Sequence, residues 1–283
     1  MDRRRFLELS LVTVAGGKLA ACSHGGGDEA ALAPVLSQTV AYAFDNAGNR
    51  YEMDFEAYVV RRVDANGNAV WTQGDVANPD LFNSPTSMAI DNDGTVFVAD
   101  RGNGEIERLS AAGTPLATFA TELVTADDLA LDQGTLYVSD GSQHHVQVYS
   151  TSGASLRVIG AFGTSGGGLN GPRGVGVSPS GELHVVDSGN ARVQVFGLDG
   201  TFRRSYGNDD SEDKRLRRPR DIVFDSSGHA LVSDPLAMRL ARYGGDGALL
   251  EHVQLRDAAG NAGVPLYLAI GPGDRLYATV LFQ

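Results

Sequence analysis

Residues 171–207 read GPRGVGVSPSGELHVVDSGNARVQVFGLDGTFRRSYG. Four short strands fall within them, at 174–177, 182–186, 192–196 and 201–206, separated by the Gly, Pro, Ser and Asp clusters that mark tight turns. That order is an antiparallel meander. A single four-stranded sheet cannot bury both of its faces, so the rest of the chain must supply neighbours of the same kind.

It does. The glycine of the first turn and the aspartate ending the second strand recur six residues apart as Gly48 and Asp54, Gly94 and Asp100, Gly134 and Asp140, Gly181 and Asp187, and Gly228 and Asp234. Each aspartate is followed six residues on by Val60, Ile106, Val146, Val193 or Leu240, and nine on by Val63, Leu109, Tyr149, Phe196 or Tyr243. A second glycine stands at thirteen (Gly67, Gly113, Gly153, Gly200, Gly247), and a sixth copy places Asp274 in the glycine slot and Val280 in the aspartate slot. The intervals of 46, 40, 47, 47 and 46 residues suit four-stranded propeller blades. In the second strands Val96 and Val98 alternate with Phe97 and Ala99, Leu136 and Val138 with Tyr137 and Ser139, and Leu183 and Val185 with His184 and Val186. Both faces are mostly apolar, as strands sandwiched between sheets require.

The unit resembles the NHL repeat. The residues carrying the likeness are Pro172-Arg173-Gly174-Val175, the run Leu183 to Asn190, Arg192-Val193-Gln194-Val195-Phe196 and the closing Asp199-Gly200, with Pro85, Pro219 and Pro265 repeating the proline slot. The resemblance spans about residues 40–282. It implies an all-β, six-bladed β-propeller of four-stranded antiparallel blades. Only three residues follow Val280, so the last blade is expected to be completed in part by the N-terminal segment, with residues 31–37 as the closing strand; a last blade of three strands is the other outcome.

Ahead of the repeats lies an address. Arg3-Arg4-Arg5-Phe6-Leu7 resembles a twin-arginine export motif, with Arg3, Arg4, Phe6 and Leu7 at its defining positions, and the apolar run 9–21 is too short to span a bilayer. Leu19-Ala20-Ala21-Cys22 resembles a bacterial lipobox that ends on the chain's single cysteine, against the alternative of an ordinary signal with a chance thiol. The resulting division is a signal peptide at 1–21, a lipid-attached tether at 22–30 and the propeller at 31–283. With one cysteine no internal disulfide is available, and stability must come from packing. The formal net charge of -12 becomes about -14 without residues 1–21, and Lys214 is then the sole lysine. Such a surface repels phosphate backbones, so nucleic acid is excluded as a general partner.

In a propeller the loops leading into the innermost strands ring the central channel, which makes that rim the default binding face. After the proline slot the blades present Thr86-Ser87, Asp127-Asp128, Arg173-Gly174, Arg220-Asp221 and Leu266-Tyr267. The candidate ligand-binding residues are therefore Asp127, Asp128, Arg173, Arg220, Asp221 and Tyr267. Arg173 and Arg220, from adjacent blades, are placed to converge on one carboxylate or phosphate, or else to order the rim by pairing with neighbouring aspartates. The ruler aspartates are expected to cap their own turns rather than hold a cation. In blade one Arg50 and Glu52 replace apolar residues and are expected to pair. Leu216, three residues before its proline like Phe82 and Leu169, should dock the charged loop 209–220, and Gly166-Gly167-Gly168 reads as flexible.

Amidating lyases with this repeat hold zinc through histidines in the slot after the blade proline. Here that slot carries Thr86, Asp127, Arg173, Arg220 and Leu266, and His144-His145 alone is a poor chelate. No catalytic residue, metal ligand or cofactor is assigned, although a divalent cation at the face carboxylates stays open. The expected function is a monomeric, lipid-anchored scaffold at the extracytoplasmic face of the cell envelope that binds an envelope protein or a small anionic ligand. The alternative is a metal-assisted hydrolase or lyase of lactonase or amidating-lyase type working at the same face.

Overall fold

A computed structural model describes residues 40–282 apart from 65, 76, 78–80, 120–122 and 258, together with three short strands before residue 40. The export motif and Cys22 lie outside the described residues; Leu11–Val14 and Gly17–Ala21 pair as an antiparallel hairpin. Among the described residues the only helical segments are three single turns of 3-10 helix.

Five sheets are four-stranded antiparallel meanders, and their strands are paired in sequence order. Blade one comprises Val40–Phe44, Arg50–Asp54, Val59–Val63 and Ala69–Gln73. Blade two comprises Pro85–Ile90, Val96–Asp100, Glu105–Leu109 and Pro115–Phe119, and blade three Asp128–Asp132, Thr135–Asp140, His145–Ser150 and Ser155–Ile159. Blade four is Pro172–Val177, Glu182–Asp187, Arg192–Gly197 and Phe202–Tyr206. Blade five is Ile222–Phe224, Ala230–Asp234, Arg239–Tyr243 and Leu249–Val253.

The expectation of six four-stranded blades is corrected here: among the described residues there are five. The sheet that closes the ring has three strands, Gly263–Gly271 and Arg275–Phe282 paired antiparallel, with Val35–Ser37 added in parallel beside Tyr277 to Thr279. The reason lies in the sixth repeat copy. Val280 stands where the five blades have an aspartate at the end of the second strand, and here the strand runs straight on to Phe282.

The apolar alternation divides the core into seams between blades. Val96 and Val98 pack with Tyr51, Met53 and Val60 of blade one, whereas Phe97 and Ala99 face Leu136 and Val138 of blade three. Tyr137 then meets Leu183 and Val185, and Val186 meets Ile222 and Val232. Leu240 of blade five packs on Leu268, Ala278 and Val280 of the closing sheet. Tyr277 returns the ring to blade one, its ring centroid 4.7 Å from Phe44 and 5.1 Å from Tyr42. Phe82, Leu169 and Leu216, the three loop residues with the common spacing, are all fully buried, so loop 209–220 docks as its sequence predicts.

Turn chemistry holds the register. The ruler glycines Gly48, Gly94, Gly134, Gly181 and Gly228 all have left-handed φ of 74–83°, and Asp274 fills the sixth slot at 58°. Only glycine takes that conformation without strain as a rule, which is why its spacing survives when other residues change. The glycine run at 166–168 is a correction. Gly167 donates to Gln194 Oε1 at 2.8 Å and Gly168 accepts from Arg192 at 2.9 Å, so this loop is tied to blade four rather than loose.

Candidate functional site

Asp54 and Asp140 accept backbone N–H groups of the turn after their own strand, whereas Asp187 and Asp234 make no such cap. Asp100, Asp140, Asp187 and Asp234 clamp the loop that precedes their blade. Asp140 accepts the backbone N–H groups of Ser142, Gln143 and Val124 at 2.7–3.1 Å. Asp234 accepts those of Arg217 and Arg218 at 3.0 and 2.9 Å. Asp187 takes Asn170 N–H on one oxygen (2.7 Å) and Asn190, Arg192 Nε and Gln194 on the other (2.8–2.9 Å). Asp100 is held by Asn83 N–H at 2.8 Å. Carboxylates occupied in this way build the repeat.

The six candidate rim residues do meet: Asp127, Asp128, Arg173, Arg220, Asp221 and Tyr267 line one cavity of about 10 Å³, room for roughly one water. Asp127 Oδ1 lies 3.2 Å from Arg173 and 3.6 Å from Arg101, while its other oxygen accepts Gly141 N–H at 3.0 Å. Arg173 therefore orders the rim through an aspartate, one of the two outcomes open from sequence. Arg220 does something else. Its guanidinium carbon sits 4.4 Å from the Tyr267 ring centroid and it donates to the Tyr267 hydroxyl, and Tyr267 stacks on Phe55 at 4.7 Å. Arg220 Nε is buried with no partner. Burial lowers the Arg173 pKa, Asp127 opposes that shift, and the positive charges of Arg220 and Arg101 add to it. Tyr267 is pushed up by burial, with Arg220 pulling the other way.

Asp128 and Asp221 lie one layer deeper. Each reaches forward to the inner strand of the following sheet, Asp128 to Val175 N–H at 2.9 Å and Asp221 to Leu268 N–H at 2.6 Å. Ser87 Oγ adds a bond to Asp128 at 2.5 Å. Burial holds Asp128 up at about 6, with the hydrogen bonds of Ser87, Val175 and Leu129 opposing and Asp127 adding to the rise. Asp221 is also raised well above the usual carboxylate range, by burial first and the Asp128 charge second. The pair holds a proton that two ordinary carboxylates would have lost.

This sets a pH dependence. A carboxyl whose folded pKa exceeds its unfolded one contributes stability that is complete below about pH 3.8 and is lost as pH rises through about 6. Relative to Asp128→Asn, the natural protein should therefore lose on the order of 2–3 kcal/mol between pH 4 and pH 7.5. Urea melts of both proteins across that range measure it, and parallel stability curves would refute the shift.

In blade one Glu52 pairs with Arg50 at 3.0 Å and with Arg61 at 2.6 Å, so it is a balanced structural carboxylate. His184 is buried, bonded to Tyr206 at 3.0 Å, and lowered to about 4 by burial and Arg204. His144 Nδ1 accepts Gly171 N–H at 2.9 Å. Among the described residues no group of three or more His, Cys, Asp or Glu side chains is arranged to hold a metal ion.

Two repeated devices escape a reading of the sequence. Ser139, Ser233 and Thr279, each one residue before the ruler slot, donate to carbonyls of the next sheet's inner strand: Arg173, Leu266 (2.9 Å) and Val40 (2.9 Å). Thr86, on the inner strand of blade two, donates to the Ala126 carbonyl just ahead of blade three at 2.5 Å. Four residues after the ruler, Tyr58, Gly104, His144, Ala191 and Met238 all have positive φ of 50–71°. The shared offset is the signal for both, masked because the residue types differ.

Beside the mouth, a cleft of about 330 Å³ between blades four and five is lined by Arg173, Arg218, Arg220, Pro235, Leu236 and Leu266, among others. Leu236 is 62 % exposed, and Met238 on the same turn is 42 % exposed. The cleft joins guanidinium groups to an apolar wall, an arrangement suited to a partner with a carboxylate beside an aliphatic or aromatic group.

Comparison with known proteins agrees with this architecture. The NHL repeat profile matches residues 82–109 and 169–196, which are the docking residue and first three strands of blades two and four. Curated protein sequences give no match. Similar solved structures include a virginiamycin B lyase from Staphylococcus aureus, in complex with quinupristin, with a TM-score of 0.64 and 13 % identity over 90 % of this chain and 78 % of that one. A gluconolactonase from Xanthomonas campestris has a TM-score of 0.65 at 17 % identity, covering 86 % of this chain and 84 % of the other. A chain of the nidogen/laminin complex has a TM-score of 0.60 at 22 % identity, covering 85 % and 84 %. At these identities the likeness is one of fold.

Proposed function

We propose that this all-β propeller with NHL repeats is a binding module held at the extracytoplasmic face of the cell envelope by a lipid on Cys22, and that it captures an acidic segment of an envelope protein. The observation that carries this reading is the placement of positive charge. On a chain of formal net charge -12, Arg101, Arg173, Arg218 and Arg220 gather at one channel mouth, with Leu236 and Met238 exposed beside them. An island of guanidinium groups on an acidic surface selects carboxylate-bearing partners and repels the rest. The nidogen/laminin neighbour supports protein capture as a use of this fold.

The test is crosslinking from intact envelopes. Capture of partners should fall at least tenfold in Arg173→Ala/Arg220→Ala, since charge-assisted bonds contribute about 1.5–3 kcal/mol each. In Cys22→Ser the protein should leave the membrane fraction. Unchanged capture by the double variant rejects the rim, and a membrane-bound Cys22→Ser protein rejects the anchor.

A second reading, a metal-assisted hydrolase or lyase, draws on the lyase and gluconolactonase neighbours and on the three carboxyls at the mouth. It requires a cation to compete with Arg101 and Arg173 for Asp127. Stoichiometric metal in protein purified without chelator, lost in Asp128→Ala, would put this reading first.

A further inference from the structure

The space inside the ring opens away from the arginines. Below the small rim cavity the inner strands enclose about 340 Å³, within the size range of ligand pockets, and this space reaches from Thr86, Asp128 and Asp221 down to Phe44, Leu131 and Ile270. There it meets a mouth of about 530 Å³ framed by Asp132, Gln133, Ser178 and Pro179. The walls are mixed: the side chains of Ala43, Met88, Leu129, Val175, Ile222 and Leu268 alternate with polar groups that include Thr86 and Ser87. The inner end is blocked by Tyr267, Arg220 and Arg173, leaving the roughly 10 Å³ gap at the rim. The inner strands traverse about 10–13 Å between the carboxyls and the open mouth, three to four residues at 3.3 Å each.

The two ends carry opposite charge. At the far end the turns joining first and second strands carry Asp45, Asp91, Asp93, Asp132, Asp225 and Asp274. Arg242 is bonded to Asp225 there, at 3.0 Å. The channel thus leads from an acidic mouth, past these aliphatic side chains, to Asp128 and Asp221. Asp221 is 8 % exposed and Asp128 is half-buried, and both line the channel space.

We infer that the channel binds an elongated organic cation, a primary ammonium on an aliphatic chain, which enters from the acidic face and places its ammonium on Asp128 and Asp221. The acidic mouth concentrates cations, and the enclosed channel leads them to the carboxyls. An ammonium supplies three donors to the carboxylate lone pairs left over by Ser87, Val175, Ile222 and Leu268, while the aliphatic chain buries itself along the walls. A carboxylate in the same place would meet like charge. The charged and titratable groups facing the pair are Asp127, Arg173, Arg220 and Tyr267, all on the rim side. Binding exchanges the proton held by the pair for the ammonium, so one proton is released for each ligand bound.

The probe is hexylammonium, with hexanol and hexanoate as comparators, measured by titration calorimetry on the purified protein. One saturable site is expected, at least about tenfold tighter for hexylammonium than for hexanol. Hexanoate should not bind. Affinity should rise as pH is raised from 5 to 7.5 through the Asp128 range near 6. Asp128→Asn and Asp221→Asn should each weaken binding about tenfold or more, whereas Asp257→Asn, the same charge change on an exposed outer loop, should leave it unaltered. Should the carboxyl variants fold poorly, Ala43→Leu narrows the channel from its wall and should abolish binding while its thermal unfolding stays cooperative. Equal affinity for hexanol and hexylammonium, absence of a saturable site, or wild-type binding by the folded variants overturns the inference.

Discussion

Asp187→Ala is expected to lower the unfolding free energy by about 3–5 kcal/mol, the range found when one partner of a buried ion pair is removed. Asp187 is fully buried, and four donors converge on it, from Asn170, Asn190, Arg192 and Gln194. Deleting the carboxylate leaves the Arg192 guanidinium, itself 8 % exposed, as a buried charge with only carbonyls for partners. The loop that Gln194 and Arg192 hold at Gly167 and Gly168 loses its fastening at the same time. Urea denaturation measures the change, and a loss under 1 kcal/mol would mean that the network is not the hub of blade four.

The same slot in blade two supplies the contrast. Asp100 has one buried oxygen without a partner, and burial together with the charge of Glu105 raises its pKa. Where Arg192 and Gln194 stand in blade four, blade two has Glu105 and Glu107, and burial with the Glu105 charge lifts Glu107 to about 7. Asp100→Asn removes a like charge from this group. Its cost should therefore be far smaller than that of Asp187→Ala, and smaller still at pH 8 than at pH 5.

The second large effect concerns the spacing of the inner strands. Gly174 is the residue of blade four that faces Asp221, and a Cβ placed on it would stand 2.7 Å from the Asp221 Cα and 2.8 Å from the Arg220 carbonyl oxygen. Both neighbours are backbone, which cannot rotate aside as a side chain does. Gly174→Val must push blades four and five apart, and overpacking of this kind costs typically 1–3 kcal/mol and more where the surroundings are rigid. A loss of about 3 kcal/mol is expected, together with loss of Arg173 and Arg220 from their shared cavity. Thermal unfolding and partner capture together check it; wild-type stability would show that the ring breathes more than its packing implies.

Much of this architecture was legible in the sequence because turns and sheets impose narrow demands. A left-handed φ of about 80° calls for glycine at Gly94 or Gly181, and strands buried on both faces call for runs such as Val96 to Ala99. The rim set was legible too, since all six candidates follow from one slot. What each does was not. Arg220 and Tyr267 are 47 residues apart, and nothing in either residue type says that the arginine will choose an aromatic ring over Asp221. Ser139 and Thr279 look like ordinary strand residues until the neighbouring sheet places a carbonyl opposite them. The count of blades failed for a related reason. Periodicity registers the sixth copy, but there the second strand runs on past Val280 to Phe282 and does not turn into a third.

The closing sheet also sets the order in which the molecule can be finished. Val35–Ser37 and Val40 come from the start of the chain, and the residues they meet, Tyr277 to Thr279, come from its last strand; the bond from Thr279 to Val40 joins groups 239 residues apart. Contacts of such separation bring the greatest loop-closure entropy and form late. Blades one to five can assemble while the chain is still emerging, but the toroid stays a split washer, both edges bare, until Arg275–Phe282 has been made and clasps Val35–Ser37 and Val40.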